Sequence, residues 1–145
     1  MRWVLGAEMA GTSETRAADK HILIVDDDPH AREAVMEELR SRGYQVKGAA
    51  DGLQALQQLQ RERFSVVVAD LQMPRMDGVA LLREIRRRRY APVVIQTTLV
   101  DPNLQDVLRR AGASAVLVKG ESVTDLARLV GEICRKNQES SVQPT

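Results

Sequence analysis

The sequence predicts an α/β fold: a doubly wound five-stranded parallel sheet of order 2-1-3-4-5, with helices on both faces. Three observations carry that prediction. Short apolar runs rich in β-branched residues, Ile22-Leu-Ile-Val25, Val66-Val-Val-Ala69, Val93-Val-Ile95 and Val116-Leu-Val118, suit strands covered on both faces. Amphipathic stretches of helical spacing alternate with strands five times. Four strands lead straight into polar residues, Asp26-Asp27, Asp70, Thr97 and Lys119, at the carboxyl ends where such a sheet gathers its ligand-binding groups.

The elements follow in order. Ile22 to Asp26 reads as the first strand, and Asp28-Pro29 opens a helix with Asp as cap and Pro at the first helical position. That helix runs to about Ser41, and Gly43 supplies its stop. Tyr44 to Ala49 is the second strand. Asp51-Gly52 opens a helix carrying Leu53, Leu56 and Leu59 at helical spacing. Phe64 to Asp70 is the third strand, and Gln72-Met-Pro-Arg-Met-Asp-Gly78 is a Pro- and Gly-punctuated loop before a helix from Val79 to about Arg89. Pro92 precedes the fourth strand, Asp101-Pro102 repeats the cap-and-proline start, and Ala115 to Val118 is the fifth strand. Leu126, Leu129, Val130 and Ile133 give the last helix one apolar stripe. Right-handed crossovers between these strands produce the stated order. Residues 1–20, without periodicity, read as a disordered leader; 21–137 form one domain; the polar 138–145 read as a disordered tail with no output domain after it.

At 145 residues one core suffices. Lys+Arg 21 against Asp+Glu 20 gives no overall electrostatic signature of a nucleic-acid binder. Cys134 is the sole cysteine, so there is no internal disulfide; it reads as a small core hydrophobe in a reducing, cytoplasmic setting. The opening Met1-Arg-Trp-Val-Leu-Gly-Ala7, broken by Glu8, is too short for a signal peptide or a membrane span.

The strand ends carry the chemistry. Asp26, Asp27 and Asp70 crowd three negative charges that a cation would relieve, and Mg²⁺, with its preference for oxygen ligands, suits them. The backbone carbonyl of Gln72 would add a ligand. With charge neutralised, Asp70 can attack a phosphorus in line, Lys119 pairing with the phosphoryl group and Thr97 donating its hydroxyl to another phosphoryl oxygen. Nearby residues take plainer roles. Asp28 caps a helix, His30 is a surface residue in a first helical turn, and Arg86-Arg-Arg-Arg89 is a solvated helix end facing its dipole.

Ile-Leu-Ile-Val-Asp-Asp-Asp-Pro29, Asp70-Leu-Gln-Met-Pro-Arg-Met-Asp-Gly78, the strand end at Thr97 and Gly112-Ala-Ser-Ala-Val-Leu-Val-Lys119 together resemble a response-regulator receiver domain over about residues 20 to 137. The resemblance implies a flavodoxin-like receiver fold with Asp70 as phosphoacceptor. Asp26, Asp27, Asp70 and the Gln72 carbonyl would hold Mg²⁺, and Thr97 and Lys119 would sense the phosphoryl group. It implies a sensor histidine kinase or histidine phosphotransfer protein as donor and a downstream protein as target, with no membrane partner. A homodimer through the helix 4, strand 5, helix 5 face stays open. The expected role is a stand-alone stoichiometric phosphoacceptor in a phosphorelay, not an enzyme.

Three departures from the family pattern stand out. Gly120 follows Lys119 where the family has a proline on a cis bond, which predicts a trans bond, a looser loop and a less firmly aimed Lys119. Val116 stands where an aromatic often swings inward, so the moving parts are expected in the loop after Thr97 and the helix from Asp101. Thr98 adds bulk beside the phosphoryl position. These leave one alternative, a receiver-like docking module that works without phosphorylation. A haloacid-dehalogenase-type phosphatase would want a second Asp at Gln72, and a dinucleotide site would want Gly-x-Gly-x-x-Gly after the first strand.

Overall fold

The computed structural model describes residues 20–120 and 122–142. Five strands and five helices alternate among them. They are β1 (His21–Val25), α1 (Pro29–Ser41), β2 (Gln45–Ala49), α2 (Gly52–Arg61), β3 (Val66–Asp70), α3 (Gly78–Arg88), β4 (Val93–Thr97), α4 (Pro102–Arg110), β5 (Ala115–Val118) and α5 (Val123–Val142). All strands are parallel, in the order β2-β1-β3-β4-β5.

Strict alternation within the apolar runs builds two cores, one on each face of the sheet. Ile22, Ile24, Val66, Val68 and Val94 point to the layer of α1 and α5, where Leu39, Leu126 and Val130 meet them. Leu23, Val25, Val67, Ala69, Val93 and Ile95 point to the layer of α2, α3 and α4, against Leu59, Leu81, Leu82, Ile85 and Leu108. Cys134 is buried in the first layer, as a core hydrophobe. Because the central strands are covered on both faces, their registers are fixed by burial: Val25 lies beside Ala69, Asp70 beside Gln96, and Thr97 beside Val118.

Helix starts repeat one device. Asp28, Asp51, Asp77 and Asp101 each cap a helix with a side-chain oxygen accepting from the backbone two or three residues on. Basic residues close the same helices: Arg40, Arg61, Arg86 to Arg88, and Arg109 with Arg110. Each helix runs antiparallel to its strands, so the caps gather on the rim at the strand carboxyl ends and the arginines at the opposite edge.

One boundary moves. The last helix continues to Val142 and so enters the stretch 138–145 expected to be a disordered tail. Polarity does not oppose helix here: Gln and Glu are good helix formers, and no proline occurs before Pro144. The expected leader, Lys20 aside, and positions 143–145 lie outside the described residues. Among the described residues no helix is long and apolar enough to cross a membrane.

Candidate phosphoacceptor and metal site

The four strand ends converge as the topology requires. Winding reverses between β1 and β3, and that switch point opens the crevice into which Asp26 and Asp27, just past β1, and Asp70, the last residue of β3, project their carboxylates. One oxygen from each lies within 4.8 Å of the others. Thr97 ends β4 and Lys119 follows β5. A cleft of about 520 Å³ is lined by Asp27, Asp70, Gln72, Met73, Pro74, Thr97, Thr98 and Lys119.

The contacts assign different conditions to the three acids. Asp26 is buried, its Oδ1 accepting from the Asp28 amide at 2.9 Å and its Oδ2 paired with Lys119 Nζ at 2.9 Å. Asp70 is also buried; Lys119 Nζ donates to its Oδ2 at 3.0 Å, and Oδ1 takes no hydrogen bond among the described residues. Asp27 is exposed at the mouth of the cleft. Burial works against the charge on Lys119, but the hydrogen bonds and charges of Asp26 and Asp70 outweigh it and hold the ammonium's pKa above its usual value.

Lys119 is therefore firmly aimed, which corrects the expectation drawn from Gly120. The Lys119–Gly120 bond is trans, as expected, and Gly120 takes a left-handed φ of +96°. Yet the Lys119 amide donates to the Thr97 carbonyl at 2.6 Å, and two carboxylates fix the far end of the side chain. Both ends of Lys119 are thus anchored ahead of the loop that follows.

Thr97 is buried, and its Oγ1 accepts from the Leu99 amide at 3.0 Å. Its own proton stays available for an acceptor in the cleft. His30 is an exposed first-turn residue that donates its amide to Asp28, and Arg87 and Arg88 pair with Glu84 on the solvated end of α3.

Three supporting groups take roles that the sequence reading does not assign. Arg32 Nη1 donates to the Asp26 carbonyl at 2.7 Å. Gly78 lies so close to the chain at Asp70 that an added Cβ would sit 2.5 Å from the Asp70 carbonyl oxygen. Arg75, in the loop after Asp70, pairs with buried Asp51 at the start of α2. The first and third are side-chain contacts that no local pattern encodes; by sequence Gly78 reads only as the end of a punctuated loop.

The donor set fits a hard divalent cation. It is all oxygen, and one ammonium among three carboxylates leaves two negative charges in excess. Asp27 is free of ion pairs among the described residues, and each oxygen of Asp26 keeps a second lone pair.

Comparison with known proteins gives a consistent answer. The family model described as the response regulator receiver domain matches residues 22–131. The chain is 36% identical over 116 residues to the transcriptional regulatory protein PdtaR of Mycobacterium tuberculosis, a stretch covering 79% of this chain and 57% of that protein. It thus spans less than two thirds of that relative's length. Among solved structures, the receiver domain of a Francisella response regulator aligns with a TM-score of 0.79 at 25% identity, covering 81% of this chain and 98% of that one. The response regulator TrrA from Thermotoga maritima, in complex with Mg²⁺ and BeF, aligns with a TM-score of 0.71 at 30% identity, covering 79% and 98% respectively.

Proposed function

The chain belongs to the response-regulator receiver family of two-component signalling, and on that premise we propose that Asp70 accepts a phosphoryl group from a phosphohistidine with the help of Mg²⁺. One observation carries this reading. Asp70 is a buried strand-end carboxylate with Oδ2 held by Lys119 and Oδ1 uncommitted among the described residues, in a cleft that also holds a second acid and a hydroxyl donor.

The chemistry is an in-line displacement. Asp70 Oδ1 forms a bond to phosphorus as the P–N bond to the donor imidazole breaks, and the imidazole leaves with the electron pair and takes up a proton. Lys119, released in part from the carboxylate it holds, follows the charge onto the phosphoryl oxygens as a point charge. Thr97 donates its hydroxyl to another of those oxygens. Asp26, Asp27, Asp70 and the Gln72 carbonyl would hold Mg²⁺, which when bound neutralises charge that would otherwise repel the incoming phosphoryl group. The similarity to a structure holding Mg²⁺ and BeF supports that assignment.

The transfer is stoichiometric, one phosphoryl group per chain, so the protein is an acceptor and not a turnover enzyme. The output is a changed surface. Thr97 Oγ1 already holds the Leu99 amide, so a hydroxyl drawn to the phosphoryl group pulls directly on the β4–α4 loop. That loop and α4 expose Leu99, Val100 and Val107, and the one fully buried side chain of α4 is Leu108. The proposed role is that of a cytoplasmic receiver. A sensor histidine kinase or phosphotransfer protein is its donor, and a downstream protein, or a second copy through the α4-β5-α5 face, reads it.

Intact-mass analysis after incubation with Mg²⁺ and acetyl phosphate or phosphoramidate, beside Asp70→Asn, tests the proposal. The expected result is a phosphate adduct on the native chain alone. No adduct on folded, Mg²⁺-bound protein would overturn it in favour of a docking module that works without phosphorylation.

A further inference from the structure

The loop between Asp70 and α3 forms one wall of the cleft through Gln72, Met73 and Pro74. Its two ends are pinned locally. The Leu71 amide donates to the Gln96 carbonyl at 2.9 Å, and the Gly78 amide to the Leu71 carbonyl at 2.8 Å. The far turn, Arg75-Met76, rests instead on the start of α2. Arg75 reaches from an exposed position to Asp51, whose side chain is 2% exposed. Next to it, Gly52 packs so tightly on Met76 that an added Cβ would come within 2.8 Å of the Met76 side chain.

Two features make this contact more than a surface ion pair. Asp51 Oδ1 accepts from the Gln54 amide at 2.9 Å and Oδ2 accepts from Arg75, so the guanidinium supplies the countercharge of a buried carboxylate. Arg75 also sits at a φ of +67°, in the left-handed region where glycine or asparagine is the ordinary choice. A side chain kept at a backbone position that disfavours side chains implies a gain elsewhere, and the gain visible here is the pairing with Asp51.

We propose that Arg75 and Asp51 are positioning residues for the phosphoacceptor site: their ion pair braces the loop after Asp70 against α2 and so holds the Gln72 carbonyl where the metal takes it. Neither residue touches the reacting atoms. The proposal rests on the reading of the site as an Mg²⁺-assisted phosphoacceptor and extends it to a brace on the far side of the cleft wall.

The test is the Mg²⁺ affinity of the full, unphosphorylated chain by calorimetry, with thermal unfolding as a check on the fold. Arg75→Gly removes the guanidinium and relieves the left-handed backbone, whereas Asp51→Asn keeps a helix cap and loses the charge. Each is expected to weaken Mg²⁺ binding about tenfold, the lower end for groups that orient a metal ligand from behind. The double variant should lose no more than about twofold beyond either single one, because both remove the same brace. Arg75→Lys, which keeps the charge, should recover part of the affinity. Folded Arg75→Gly and Asp51→Asn proteins that bind Mg²⁺ as the native chain does would overturn the brace and leave the phosphoacceptor reading standing. A native chain that binds no Mg²⁺ would overturn that reading itself, and the brace with it.

Discussion

Replacing Lys119 with Met tests how the site holds its charges apart. The ammonium lies 2.9 Å from Asp26 Oδ2 and 3.0 Å from Asp70 Oδ2. At an effective dielectric of about 20, each contact is a gross attraction of roughly 5–6 kcal/mol, most of it offset by desolvation. Breaking a buried pair by removing one partner costs about 3–5 kcal/mol. Water reaches the ammonium, whose side chain is 23% exposed, so the expected loss falls to about 2–3 kcal/mol. The loss has a metal signature, because Mg²⁺ bound at the carboxylates would supply the missing positive charge. Urea unfolding of native and variant protein, with and without Mg²⁺, reads both effects. A deficit below about 0.5 kcal/mol, the range of an ordinary surface change, would refute the reasoning, as would one that saturating Mg²⁺ leaves untouched.

Three further outcomes follow from the same geometry. Gly78→Ala places a methyl 2.5 Å from the Asp70 carbonyl oxygen and 2.7 Å from Leu71 Cα, and should cost about 2–3 kcal/mol in denaturant unfolding; a neutral result would mean the loop is slack. Thr98 lines the cleft, and Thr98→Ala should shorten the lifetime of the phosphorylated chain, followed as decay of the phosphate adduct by mass; an unchanged rate removes Thr98 as a shield. The Asp51 carboxyl is held below its ordinary value of 3.8, chiefly by the Gln54 amide, with burial opposing and Arg75 adding to the effect. Its folded-state value being the lower one, its contribution is present above 3.8 and is lost as pH falls through the folded value. The stability gap between native protein and Asp51→Asn should therefore be full at neutral pH and close in acid, and a gap independent of pH would contradict that.

Strand order and site were legible because both follow from short-range pattern. Runs such as Val66-Val-Val-Ala69 have no hydrophilic alternation, and this alone requires cover on both faces. Once the sheet is parallel, residues at strand carboxyl ends share one edge, so the convergence of Asp26, Asp70, Thr97 and Lys119 is legible without any contact being known. What escaped depends on contacts across the chain. The aim of Lys119 was judged from its neighbour Gly120, whereas it is set by a carbonyl on β4 and by carboxylates at β1 and β3. The pairing of Arg75 with Asp51 joins positions 24 apart through a left-handed residue, and no periodicity announces either feature. The final turns of α5 escape the sequence because polar composition suggests a tail yet is equally compatible with helix.

The capping aspartates on one rim and the arginines at the opposite edge have a consequence for motion before contact. A formal count of +1 suggests an object indifferent to electric fields. Formal charge sorted by helix direction, beyond what the helix dipoles offset, is expected to leave a dipole along the strands, so that a partner's field exerts a torque even where it exerts little net pull. A cationic partner surface would turn the rim of strand carboxyl ends toward itself; an anionic one would turn it away. Orientation during approach, and with it the association rate, should thus depend on ionic strength in a chain whose charge total predicts almost no dependence at all.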